Sequence, residues 1–274
     1  MFEYESEGLL GMRMKHAKTE FAAKNFIAAL VEAEEVLDQH PDNTEALMLV
    51  GDASLELGEA LGAAASFCRV LEFEPDNILA HSGLSIARFE LTDFDAALDS
   101  ASEALERAPE HAEAIYVQGL IYEAQGEAGP AKTAFERAHS LAPEHYPLLV
   151  LTSPEEWEEV IEAAKTLLHP DLQAWLDGVN VIIKTSPLLE QLREHTPPLS
   201  PSSLALYQGK SPHLSEDPWL VKPPGIDLFE LNLCRAALRE GDLVGPVANG
   251  LRREAVEWLS LPKGTYPVGQ DPDE

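Results

Sequence analysis

The sequence predicts an all-α solenoid of four helix-turn-helix units followed by a small α+β domain. Two observations predict the solenoid. Prolines 41, 75, 109 and 143 recur every 34 residues, and two series of small residues keep the same interval: Ala29, Ala63, Ala97 and Ala131 in one, Ala17, Gly51, Ser85 and Gly119 in the other. A third observation predicts the domain: beyond Pro143 the interval fails, and short runs of strand character such as Val179 to Lys184 (VNVIIK) take over.

In chain order, residues 1–9 form a lead-in with three glutamates where a secretory signal would need positive charge and an apolar run. Four units then follow at 10–43, 44–77, 78–111 and 112–145. Within each, the small residue of the first helix and the alanine of the second let the paired helices approach closely, while the proline ends the second helix. Leu47, Val50 and Phe67 in the second unit, and Ile115, Tyr122 and Phe135 in the fourth, supply apolar bulk. Asn25-Phe26, Asp93-Phe94, Gly58 and Gly126 mark the turns between paired helices.

On these residues the stretch from about Leu10 to Pro143 resembles the tetratricopeptide repeat (TPR) family. The resemblance implies a right-handed superhelix with a groove lined by the first helix of each unit. It places Met14, Lys18, Met48, Asp52, Ser82, Ile86, Tyr116 and Leu120 at the groove, with Phe21, Leu55 and Phe89 one turn further on. That surface reads as mostly apolar. A grip on a C-terminal carboxylate needs clustered Lys, Arg and Asn, and only Lys18 qualifies, so the expected partner is another protein offering an apolar helical or extended segment. The alternative is that these residues pack on neighbouring repeats or on the chain's own second domain. Arg13, Lys15, Lys18 and Lys24 make the first unit basic, which suits a solvated terminal cap or an acidic partner segment.

After a linker at 146–152, residues 153–263 read as the second domain and 264–274 as an acidic tail. Ser153-Pro154-Glu155-Glu156 is a helix start with a capping box, and Trp157, Val160, Ile161, Ala164 and Leu168 form one apolar face that His169-Pro170 ends. Val179 to Lys184 reads as a buried strand, Leu204 to Tyr207 as a short one and Ile226 to Leu231 as a third. Thr196 to Pro224 holds seven prolines and reads mostly as loop, and a last helix runs from about Gly245 to Leu261.

This order, with Leu204 to Gly209 (LALYQG) and Pro224 to Phe229 (PGIDLF), resembles the minimal zincin-like metallopeptidase family of bacteria. That family's closing helix carries HExxHxxGxxD, whose histidines bind zinc and whose glutamate is the general base. At the corresponding positions this chain has Arg253, Glu254, Glu257, Ser260 and Lys263, so only the glutamate is kept. Guanidinium and ammonium groups have no lone pair for a metal. The resemblance therefore implies a degenerate, non-catalytic domain, with Arg253 and Glu257 free to pair at i, i+4 spacing and Glu254 a surface or capping residue.

The chain has 274 residues and a formal charge of −29, which disfavours nucleic acid and anionic membranes. Two distant cysteines, Cys68 and Cys234, and no long apolar run fit a cytoplasmic protein. Other motifs fail on local grounds. His169, His195 and His213 are scattered. Gly209-Lys210-Ser211 lacks the first glycine of a phosphate loop and is followed by Pro212. Gly83-x-Ser85-x-Ala87 lies within a repeat helix. The expected function is a non-catalytic adaptor or scaffold without cofactor. The alternatives are a zinc-dependent peptidase with ligands from elsewhere, and a groove filled by the chain's own C-terminal domain or proline-rich loop.

Overall fold

A computed structural model describes residues 2–195, 198–209, 218–262 and 265–266, with residues 2–9 as backbone only. The helices of the first half are α1 (Phe2–Ala22), α2 (Phe26–Gln39), α3 (Thr44–Glu56), α4 (Ala60–Phe73), α5 (Ile78–Glu90), α6 (Phe94–Arg107), α7 (Ala112–Ala124) and α8 (Ala128–Leu141). The second half contains α9 (Pro154–Thr166), α10 (Pro170–Leu176), β1 (Val181–Lys184), α11 (Leu189–Arg193), β2 (Ala205–Tyr207), β3 (Ile226–Phe229), α12 (Glu230–Glu240) and α13 (Val244–Trp258). They form two compact units, one of Met1–Tyr146 with Leu189–Pro201, the other of Pro147–Leu188 with Ser202–Glu274.

In the first unit, α1 to α8 pair in sequence as four helical hairpins, and each second helix packs on the first helix of the next pair. Each second helix stops two residues before its proline, because a proline further inside would lose a hydrogen bond and clash with the preceding turn. The small residues have a visible reason. A Cβ on Gly51 would lie 2.6 Å from the Phe67 ring, and one on Gly83 equally close to the same ring, so Phe67 is wedged between two successive pairs. Gly119 stands in the same relation to Phe135, at 2.7 Å.

Two further 34-residue series appear in the structure. Asn43, Asn77 and His111 cap α3, α5 and α7, each accepting from the backbone N–H three residues on. Lys24, Gly58, Thr92 and Gly126 all take left-handed backbone conformations in the turns, with φ between 61° and 81°. The lead-in expected at residues 1–9 is instead the first part of α1, whose backbone is helical from Phe2.

The second unit has a three-stranded sheet in the order β1-β3-β2. β1 runs parallel to β3, pairing Val181 with Ile226, and β2 runs antiparallel to it, pairing Ala205 with Leu228. The capping box at α9 is present: Ser153 Oγ accepts from Glu156 N at 3.3 Å and Glu156 returns the bond to Ser153 N at 2.9 Å. Trp157, Leu172, Trp175, Leu228, Leu251 and Trp258 form the centre of one core. Gly250 brings α13 close to the sheet, where a Cβ would sit 3.3 Å from that of Ala205.

Three elements depart from expectation. Pro170 does more than end α9, since it opens α10 at a first-turn position where its missing N–H is not needed. The third strand stops at Phe229, because Glu230 starts α12, with Leu233 and Cys234 on its buried side. β1 is half-buried along its length instead of buried.

Candidate functional site: the face of the first helices

The first helices α1, α3, α5 and α7 touch one another in succession and form one face of the array. The eight residues expected there do not share one environment. Met14 is buried in the core with Ala17, Val36 and Val50. Ser82 is wholly buried and donates to Glu113 Oε2 at 2.7 Å. Tyr116 packs between Phe135 and Tyr146, with ring centres 5.3 and 4.9 Å away. The close approach of the helices carries these three side chains into contacts within the stack. Met48, Asp52, Ile86 and Leu120 are partly exposed, and Lys18 is exposed and paired with Glu45. A depression of about 410 Å³ lies beside it, lined by Leu10, Gly11, Met14, Lys15, Lys18, Asn43 and Glu45.

Carboxylates at neighbouring helical positions stand beside the apolar residues expected on this surface. Burial, then the charges of Glu113 and Glu56, push the Asp52 carboxyl up to about 6. With Glu45, these groups give the face an acidic character interleaved with Met48, Ile86 and Leu120. Two of the basic residues of the first unit are paired within the array: Arg13 with Glu32 at 3.2 Å and with Glu35, and Lys18 with Glu45.

Residues 14–78 and 83–145 match the family model of the tetratricopeptide repeat. The array consists of TPR repeats. Among solved structures, MamA is similar at 26% identity with a TM-score of 0.42, covering 47% of this chain and 75% of that one. A thermophilic TPR protein of Thermus thermophilus is similar at 22% identity with a TM-score of 0.46, covering 49% and 75%. No curated protein matches the chain.

At its third and fourth repeats the TPR array is covered by part of its own sequence. The stretch Leu189–Pro201 lies inside the range the sequence assigns to the second domain, yet it packs with the first unit. Leu189 lies on the cluster of Phe89, Phe94, Val117 and Ile121, which Ile86 and Leu120 also join. Arg193 Nη2 donates to the Thr92 carbonyl at 3.4 Å, and Ser200 Oγ donates to the Glu90 carboxylate. Leu199 N donates to Leu192 O at 3.0 Å.

In the second unit, the residues aligned with the zincin motif do not fit a zinc centre. Arg253 does not pair with Glu257; its Nε and Nη2 donate to Glu254 Oε1 at 3.2 and 3.1 Å, and Nη2 also reaches Ala205 O at 3.3 Å. Glu254 is 1% exposed instead of a surface or capping residue. It lies on the stripe Val247, Leu251, Glu254, Trp258, which α13 turns towards the sheet, and its Oε2 accepts from Tyr207 N at 3.0 Å. Burial pushes its carboxyl up to about 7 against the opposing pull of Arg253 and the Tyr207 N–H. Glu257 is exposed, and Lys263 lies outside the described residues, as do Lys210, Ser211, His213 and all of the acidic tail except Thr265 and Tyr266. Among the described residues no three His, Cys, Asp or Glu side chains form a metal-holding group, and no helix is long and apolar enough to cross a membrane.

Proposed function

We propose that the chain is a non-catalytic adaptor of the cytoplasm whose TPR face holds a segment of another protein. One observation carries this reading: partly exposed apolar side chains, Met48, Ile86 and Leu120, stand on consecutive first helices among the carboxylates Glu45, Asp52, Glu56 and Glu113. Such a face suits an amphipathic helical or extended segment with leucine-like side chains and at least one Lys or Arg, since apolar contact supplies affinity and opposite charge fixes register. A charge of −29 weighs against nucleic acid and anionic lipid as partners.

The test is capture of partners from the native cell by the wild-type chain and by the variant Ile86→Glu/Leu120→Glu, with circular dichroism to establish that the variant is folded. Loss of specific partners by the variant is the expected outcome. Retention of every partner by a folded variant refutes a role for this face. The second unit is proposed as a further, non-catalytic docking surface, supported by the engagement of Glu254 with Arg253 and the Tyr207 N–H. Metal analysis after dialysis checks this part, because one equivalent of retained zinc would overturn it.

A further inference from the structure

The stretch Leu189–Pro201 contains a helix of only five residues, α11. A helix that short does not hold itself in water. Its shape is therefore set by the surface beneath it, as the shape of a bound peptide is. The contacts also resemble those of a ligand. One leucine, Leu189, meets the cluster shared by the third and fourth repeats, and Leu192, one turn on, is 2% exposed. Arg193 addresses the carbonyl of the turn residue Thr92, and Ser200 reaches Glu90 at the last position of α5. On both sides the chain continues into the second unit, so the stretch is a loop tied at both ends. Tethering supplies a high effective concentration without requiring strong intrinsic binding.

We propose that Leu189–Pro201 is an internal ligand of the TPR array, and that the partner's segment has the same chemistry: one helical turn bearing two leucines three residues apart, followed directly by an arginine. This rests on the protein-binding reading above and adds both a recognition pattern and a competition. The partner meets an array whose third and fourth repeats are already covered, and its apparent affinity is lowered by the fraction of time the loop is seated. Ile86 and Leu120 pack on the same cluster as Leu189, so loop and partner compete for one patch.

The probe is a fluorescent peptide spanning Pro187 to Pro201, titrated into the full chain and followed by anisotropy. The full-length variant Leu189→Asp/Leu192→Asp is expected to bind it at least about tenfold more tightly than wild type, because removing the competitor exposes the site. A peptide carrying the same two substitutions is expected not to bind. If the double variant does not fold, Arg193→Ala/Ser200→Ala decides the matter, since it loosens only the polar contacts and is expected to gain a few-fold in affinity. Equal affinity in wild type and in the folded variants overturns the proposal, as does an absence of binding throughout or binding indifferent to the peptide's leucines. Partner capture by the Ile86→Glu/Leu120→Glu variant is a separate measurement, so failure of the internal ligand and failure of the adaptor reading give different results.

Discussion

Replacing Gly51 by alanine inside α3 sets two effects of opposite sign against each other. In an unconstrained helix interior the change stabilises by about 0.5–1 kcal/mol, because alanine loses less backbone entropy on folding. Here the new methyl would stand 2.6 Å from both Cε1 and Cζ of Phe67, a ring with no exposed surface that also packs against Gly83, where an added Cβ would be equally close. Such a ring in a close-packed stack has little room to retreat. Overpacking of this kind costs about 1–3 kcal/mol, so the net expectation is a loss of up to about 2 kcal/mol. Gly11→Ala in α1, where nothing lies within 4 Å of the added Cβ, serves as the control and is expected to gain stability.

Urea unfolding followed by far-ultraviolet circular dichroism is the assay. All four tryptophans, at 157, 175, 219 and 258, belong to the second unit, so indole fluorescence does not follow the array. Adding Phe67→Leu to Gly51→Ala should recover part of the loss, giving a coupling energy of about 1 kcal/mol in the double-mutant cycle. If Gly51→Ala stabilises as much as Gly11→Ala does, the explanation of the small-residue series by the Phe67 wedge is wrong.

Three further outcomes are expected. Lys24 is exposed at φ 62°, where a side chain costs about 1–2 kcal/mol, so Lys24→Gly should raise the melting temperature by a few degrees, whereas Gly58→Ala, at φ 76°, should lower it. The Glu254 carboxyl has its pKa raised from 4.5 to about 7, so the stability it contributes is fully present below pH 4.5 and is lost as pH rises through 7. Glu254→Gln should flatten this slope and, because Arg253 is half exposed and stays hydrated, should be more stable than wild type at pH 8 by on the order of 2 kcal/mol in denaturant titrations. Asp52 behaves in the same sense between pH 3.8 and 6, and Asp52→Asn should remove that dependence, with carboxyl chemical shifts in a pH titration as the check.

The repeats were legible because one interval constrains many positions at once: prolines, alanines and small residues each mark the same geometric event in every unit. The charge of the array's face was less legible. Glu56 and Glu113 stand close to the positions the family resemblance selects, and only the folded helices bring them to Asp52. The covering stretch was not legible at all as a placement, since Leu189 and Phe89 lie 100 residues apart and neither carries a motif. The burial of Glu254, by contrast, is legible from spacing, since it falls on the 247, 251, 254, 258 stripe of α13. α12 was hidden because Leu231 continues the strand-like pattern of Ile226, Leu228 and Phe229, and a helical period shows only over the following turn.

The strand order β1-β3-β2 dictates a timetable for biosynthesis. Neither of the two earlier strands has the other as a neighbour; both wait for residues 226–229 before any ladder can form. The eight repeat helices, whose contacts are local, can assemble as soon as they clear the ribosome, while β2 remains unpaired for the twenty-odd residues that separate Tyr207 from Phe229 and β1 for about twice as long, from Lys184 onwards. A pause in translation within that interval would prolong the exposure of two open strand edges on a nascent chain whose first half is already folded.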